Sequence, residues 1–295
     1  MATSRSVHLY ILALLGLTSA WLWWRFPAIA ELRHQAHMAG LLAVAAIYLC
    51  AHLLRMVRLG LLTLDERERV FDLVTAHALT AFPSSFLPFK LGEALRLAAF
   101  FKAFGGRRKA LAVWLAERFS DMVVIAGFIL TLYLLNVGVP KPMRIVFMIF
   151  VLVSMLGLLG LFAVAKVCVY LSRHLVLSSH SARGLRVLRI NHALRKLELE
   201  IYKSVEGRLS GLFLISVLIW GFEILALSLF ISQFSIGEPD FSSLFVAGLV
   251  ASLPGGHAGE AGAFGLYQSL VLVALSLCFM VFGGIGLRLG IVKSK

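Results

Sequence analysis

Apolar residues in this chain come in long runs rather than at the alternating spacing of strands. Five runs, at about 7–27, 38–62, 110–135, 145–171 and 209–235, reach the roughly 18–20 residues that carry a helix across a hydrocarbon core. A sixth, at about 270–290, closes the chain. Two further segments, about 70–104 and 241–268, are long enough to enter a membrane but are broken by Pro, Gly and charge. The pattern predicts an all-α integral membrane protein. It would be a polytopic helical bundle with six full spans and two broken, re-entrant segments, forming one transmembrane domain over 1–295. The first run, Val7 to Trp24, has the outline of a signal peptide. Its length and the tryptophans near its end instead mark a first span that stays in the protein.

Composition agrees with this reading. The 295 residues are 60% hydrophobic and 15% charged, against about 45–50% and about 25% in soluble domains. The net charge of +13 would suggest nucleic acid in a soluble protein, but cytoplasmic loops of membrane proteins also collect Lys and Arg. If both broken segments return to the side they left, an inside N-terminus puts twenty of the 28 Lys and Arg residues in the cytoplasm. Four fall outside, and Lys90, Arg96, Arg118 and Lys166 fall within membrane segments. The expected location is the inner (cytoplasmic) membrane with both termini cytoplasmic. The expected partners are the membrane and its anionic lipids, not nucleic acid. Cys50, Cys168 and Cys278 lie in apolar runs without metal-ligand spacing and read as small hydrophobes.

The largest polar piece, about 172–208, contains Leu185, Leu188, Leu194, Leu197 and Ile201 at helical spacing with arginines between them. It reads either as an amphipathic helix on an anionic leaflet or as a cytoplasmic helix packed against the bundle.

The broken segments share a device. "PFKLGEALR" (Pro88 to Arg96) and "PGGHAGEAGAFG" (Pro254 to Gly265) both run from Pro through a short loop to Gly-Glu and then small, apolar residues. Three full spans separate them, so one would enter from the cytoplasm and the other from outside, as in an inverted repeat whose turns meet near the midplane. Irregular backbone in lipid leaves N–H and C=O groups unpaired, so it persists only where protein or a wet cavity shields it. Pro88 ends the incoming helix at about Leu87, and Gly92 lets the chain turn before a new helix near Glu93. The free N–H groups of that helix start suit an anion, and Lys90 would stand beside them. Pro254, Gly256 and Gly259 repeat the arrangement.

Charged groups cluster around these turns. Glu93 and Arg96 share a helix face, as do Glu117 and Asp121, with Arg118 adjacent in sequence. One reading makes Lys90, Arg96 and Arg118 a cradle for a lipid phosphate, oriented by Glu93, Glu117 and Asp121. The other makes the same residues an ion-pair network that fastens helices, and this is the preferred reading for Glu117, Arg118 and Asp121. Glu260 would cap its half-helix and line the cavity beside His257. Glu223, in "IWGFEILA", has no basic neighbour in its own span and reads as cavity-facing. Arg55 and Arg58 read as snorkelling to headgroups.

Four stretches resemble the transmembrane, flippase-like domain of the lysylphosphatidylglycerol synthase family, including its stand-alone members without the synthase. They are "HLLRMVRLGLL" (His52 to Leu62), "PFKLGEALR" against Pro-x-x-x-Gly-Glu-x-x-Arg, "ERFSD" (Glu117 to Asp121) against Glu-Arg-x-x-Asp, and "LPGGHAGE" (Leu253 to Glu260) against Pro-Gly-Gly-x-Gly-x-x-Glu. The last departs from its pattern, because Glu260 directly follows Gly259. The resemblance implies movement of an anionic phospholipid or a lipid-linked sugar between leaflets, or support of envelope-lipid and polysaccharide assembly. Lys90, Gly92, Glu93, Arg96, Arg118, Gly256, Gly259 and Glu260 would hold the headgroup, supported by Glu117, Asp121, Glu223 and His257. Two other classes compete with transport: a non-transporting subunit alongside envelope-synthesis proteins, and a membrane glycosyl- or acyltransferase. The enzyme reading lacks a convergent base or metal set. No Walker loop is present, and no cofactor is expected.

Overall fold

In a computed structural model of the chain, the residues described are 2–35, 38–86, 91–104, 106–135, 141–178, 182–234 and 262–288. Their regular structure is helical throughout: α1 (Ala2–Gln35), α2 (Met38–Leu62), α3 (Arg67–Phe86), α4 (Leu91–Ala103), α5 (Arg107–Leu134), α6 (Lys141–Ser178), α7 (Ala182–Val205), α8 (Leu209–Phe234) and α9 (Gly262–Arg288), with a 3-10 turn at Leu64–Glu66. The all-α expectation holds, and helices cover each of the six apolar runs.

By length and composition, Met38–Leu62 and Leu209–Phe230 are long and apolar enough to cross a membrane, with mean hydropathies of 1.9 and 2.3; Leu9–Trp24 and Leu270–Gly283 are shorter apolar stretches. Helix α6 has 38 residues, about 57 Å at 1.5 Å per residue. Along it Ile145, Ile149, Leu152, Leu156 and Leu159 form an exposed stripe at alternating steps of four and three. A contiguous apolar surface of that kind is costly in water and neutral against lipid tails.

The break expected near Pro88 falls on residues 87–90, which lie outside the described residues. Helix α3 runs to Phe86 and α4 starts at Leu91, two residues ahead of the expected restart, with Gly92 and Glu93 in its first turn. Residues 235–261, including Gly256, His257, Gly259 and Glu260, lie outside the described residues, as does Lys90.

The chain divides into two compact units. The first comprises Met1–Met56, Phe71–Ala99 and Leu218–Lys295. Its core is apolar: Leu14 and Trp21 of α1, Val44 and Tyr48 of α2, Phe230 of α8, and Leu275 and Phe279 of α9 are all buried in one cluster. Helix α1 packs along α9, and the Tyr10 hydroxyl donates to the Leu79 carbonyl of α3 at 3.1 Å.

The second unit comprises Val57–Val70 and Phe100–Val217. Helix α7 packs on both α5 and α6. Asn191 and Ser204 are buried on its inner side, while Leu185 and Ile190 of the expected interfacial region are exposed. Gly207 ends α7 with φ at 71°, a left-handed residue that lets the chain reverse where a side chain would be strained. The end of α2 is closed by Thr63, whose hydroxyl donates to the Leu59 carbonyl at 2.7 Å.

Candidate functional site

Each unit buries its own charged cluster. In the second unit, Arg58 of α2 has a side chain with 0% exposure. Its guanidinium donates to both carboxylate oxygens of Asp121, at 2.5 and 3.2 Å, and to Glu117 Oε1 at 2.8 Å. A further bond reaches the Ser216 hydroxyl of α8 at 2.9 Å, and that hydroxyl shares a hydrogen bond with Ser120. Glu117 and Asp121 meet the same cation because they lie four apart on α5, on one helix face. Arg118 stands 3.7 Å from the second Asp121 oxygen. Such a network gives up little to a ligand: its cation is already held by two acids and a hydroxyl. This matches the preferred structural reading of Glu117, Arg118 and Asp121.

Arg58 itself departs from expectation. It does not snorkel. The chain buries it with three partners from α5 and α8 that accept from its two terminal nitrogens, which removes the advantage of reaching headgroups.

The polar end of the second unit lies around the 3-10 turn. Asp65 accepts a hydrogen bond from Arg208 and faces Lys109 at 3.5 Å. These cations, the Arg208 hydrogen bond first among them, hold its carboxyl below the ordinary value of 3.8. Arg208 also donates to the Leu61 carbonyl at 3.3 Å. Arg69 pairs with Glu66 and donates to the Ala103 carbonyl at the end of α4.

The first unit holds a second buried polar cluster. Besides Arg58, the polar residues of α2 include Tyr48, His52 and Arg55, whose i, i+4, i+7 spacing puts them on one face. Arg55 Nη2 lies 2.6 Å from Glu223 Oε1 of α8, with both side chains less than a fifth exposed. Arg55 does not snorkel either, and the partner that Glu223 lacks in its own span comes from α2. Tyr48 meets His52 edge-on, with ring centroids 5.0 Å apart. His52 lies 6.0 Å from the ring of His77 on α3, and both imidazoles are buried. Arg55 and Arg96 both lie within electrostatic reach of His52. Arg96, one turn into α4, is 4% exposed. Its contact with Glu93 is 3.9 Å, longer than a hydrogen bond.

Of the residues expected to hold a headgroup, Gly92, Glu93 and Arg96 fall in this cluster's unit, whereas Arg118 belongs to the second unit's network. His52, His77 and Arg55 were not expected at the site. The spacing of Tyr48, His52 and Arg55 along α2 was the available signal. For His77 no comparable pattern exists. Among the described residues no group of three or more His, Cys, Asp or Glu is arranged to hold a metal ion.

The helices and their buried ionic clusters define an all-α membrane protein that keeps arginines and acids inside apolar helix packing. The chain belongs to the lysylphosphatidylglycerol synthase TM region family, whose model matches residues 10–282. Membership fits a membrane, lipid-related role of the flippase-like kind. No curated protein and no solved structure matches the chain.

Proposed function

We propose that this protein moves an anionic phospholipid or a lipid-linked sugar between membrane leaflets. The observation that carries the proposal is Arg96: a cation 4% exposed, one turn into a helix that restarts beyond the Pro88 break. An arginine within membrane-buried helix costs roughly 2.5–3.5 kcal/mol on insertion scales, and a helix start with free N–H groups adds partial positive charge beside it. A fixed cation of that kind stabilises an anionic headgroup while the lipid tails stay in the bilayer.

In this reading the chain is one transmembrane domain with six spans and two re-entrant segments, at 70–104 and 241–268, related as an inverted repeat. It lies in the cytoplasmic membrane with both termini inside, acts as a transporter rather than an enzyme, and uses no cofactor. Glu93 and Glu223 set how strongly Arg96 and Arg55 hold the headgroup.

The test uses purified full chain in vesicles containing a headgroup-labelled fluorescent phosphatidylglycerol and a membrane-impermeant quencher. In protein-free vesicles the quencher reaches only the outer leaflet; with active protein it reaches nearly all the label. Glu93→Gln and Arg96→Gln are expected to slow the second phase at least tenfold. No transbilayer movement by the wild-type chain, or an unchanged rate in both variants, refutes the proposal.

A further inference from the structure

The first unit contains a buried polar group that neither packing nor ion pairing explains. His52 is 6% exposed, and neither ring nitrogen has a hydrogen-bond partner among the described residues. A buried polar atom left unpaired carries a desolvation cost comparable to a lost hydrogen bond, and native structures contain few such atoms. Phenylalanine would fill the same space against Tyr48 without that cost. Arg55 and Arg96 lie within electrostatic reach of His52, and a second imidazole, His77, stands across from it at 6.0 Å between centroids. Two guanidiniums and two imidazoles, brought together from α2, α3 and α4, supply N–H donors. Guanidiniums match the oxygens of a phosphate through paired N–H groups, and an imidazole adds a single directed donor.

We propose that His52 contacts the ligand directly, its imidazole donating a hydrogen bond to a phosphate oxygen held beside Arg55 and Arg96. This inference rests on the transport reading for the identity of the ligand as a lipid. It adds a specific contact that the charged motifs do not contain. Glu93 and Glu223 already associate with the two arginines, so the cluster holds an anion by competing for donors rather than by excess charge. A neutral donor such as His52 then favours phosphate without strengthening the acids' hold.

The experiment measures binding to purified full-length protein in an uncharged detergent. The probes are dihexanoyl phosphatidylglycerol, dihexanoyl phosphatidylcholine and inorganic phosphate, each titrated against wild type, His52→Phe and His52→Gln. His52→Phe keeps the volume and removes the donor; His52→Gln keeps an N–H. The expected result is phosphatidylglycerol binding weakened at least tenfold in His52→Phe and partly restored in His52→Gln, with the ligand-free melting temperature of His52→Phe no lower than that of wild type. Binding of inorganic phosphate alone, with the same dependence on His52, supports the contact and assigns it to the free anion. Phosphatidylglycerol affinity within twofold of wild type in His52→Phe overturns the proposal. If His52→Phe does not fold, wild-type protein with 15N-labelled histidines in phosphatidylglycerol bilayers decides. A histidine nitrogen in hydrogen-bond contact lies within about 4 Å of a lipid phosphorus, and no dipolar dephasing at that range overturns it.

The same variants assayed for flipping separate the two claims. A wild-type chain that flips lipid while His52→Phe binds normally removes His52 and keeps the transport reading. His52-dependent binding without flipping in wild type does the reverse.

Discussion

Replacing Arg58 by methionine tests whether the second unit's cluster is a structural fastening. The substitution keeps an unbranched apolar side chain in the same space but leaves Glu117, with 0% exposure, and Asp121, at 5%, without the cation that joins them. Removing one partner of a buried pair costs about 3–5 kcal/mol, because the other charge is left unsatisfied. Here two carboxylates lose their shared cation, while Arg118 stays 3.7 Å from Asp121, so the loss falls within that range. Glu117→Gln removes the negative charge from the contact at 2.8 Å, leaves an amide oxygen that can still accept from Arg58, and keeps Arg58 with Asp121; it should cost less than the about 1.5–3 kcal/mol of a whole hydrogen bond to a charged group. Asp121→Asn disturbs two contacts and should cost more than Glu117→Gln but less than Arg58→Met. The triple variant Arg58→Met, Glu117→Gln, Asp121→Asn removes all three charges together and should recover at least half of the Arg58→Met loss. Equilibrium unfolding in mixed micelles, run as a mutant cycle, reads these differences. The reasoning is refuted if Arg58→Met costs under about 1 kcal/mol. It is also refuted if the single losses add to the triple within about 0.5 kcal/mol, as independent sites do.

Other expectations follow from the same geometry. Gly207→Val places a β-branched residue at φ 71° and should destabilise by at least about 1–2 kcal/mol, read as a lower unfolding midpoint. Gly60 sits within α2, and a Cβ there would meet Val70 at an ordinary 3.6 Å; Gly60→Ala should stabilise by about 0.5–1 kcal/mol, raising that midpoint. Asp65 has a folded-state carboxyl below its ordinary 3.8, so its contribution is present above that pH and is lost as pH falls through the lower folded value. Its side chain is 40% exposed, so Asp65→Asn should cost under about 1 kcal/mol, less in high salt. Melting curves between pH 3 and 7 at low and high salt check both the sign and the screening.

Much of the architecture was legible because lipid tolerates few alternatives. Long apolar runs have to be helices, and the helix start expected near Glu93 lies two residues from the start of α4 at Leu91. The Glu117 and Asp121 pairing was also legible, since four-residue spacing on a helix leaves them on one side. Their true partner was not. Arg58 is 59 residues from Glu117 and 158 from Ser216, and nothing local in "HLLRMVRLGLL" distinguishes an arginine that reaches headgroups from one that is enclosed. The same holds for Arg55 and Glu223, each of which looks unpaired within its own helix. His52 and His77 escaped notice because single histidines carry no pattern until the fold places them together.

The long separation between Arg58 and its partners has a consequence for how the protein is made. Helix α2 leaves the ribosome with Arg55 and Arg58 already in place, while Ser216 is still 158 residues away. At about 5–20 residues per second, that interval is about 8–32 s. Until α5 brings Glu117 and Asp121 to Arg58 and α8 brings Glu223 to Arg55, the helix carries two cations that its own sequence cannot neutralise. Biogenesis must therefore hold α2 at an aqueous or protein-lined site until α5 and then α8 arrive, so the helix order in synthesis is not the order of final burial.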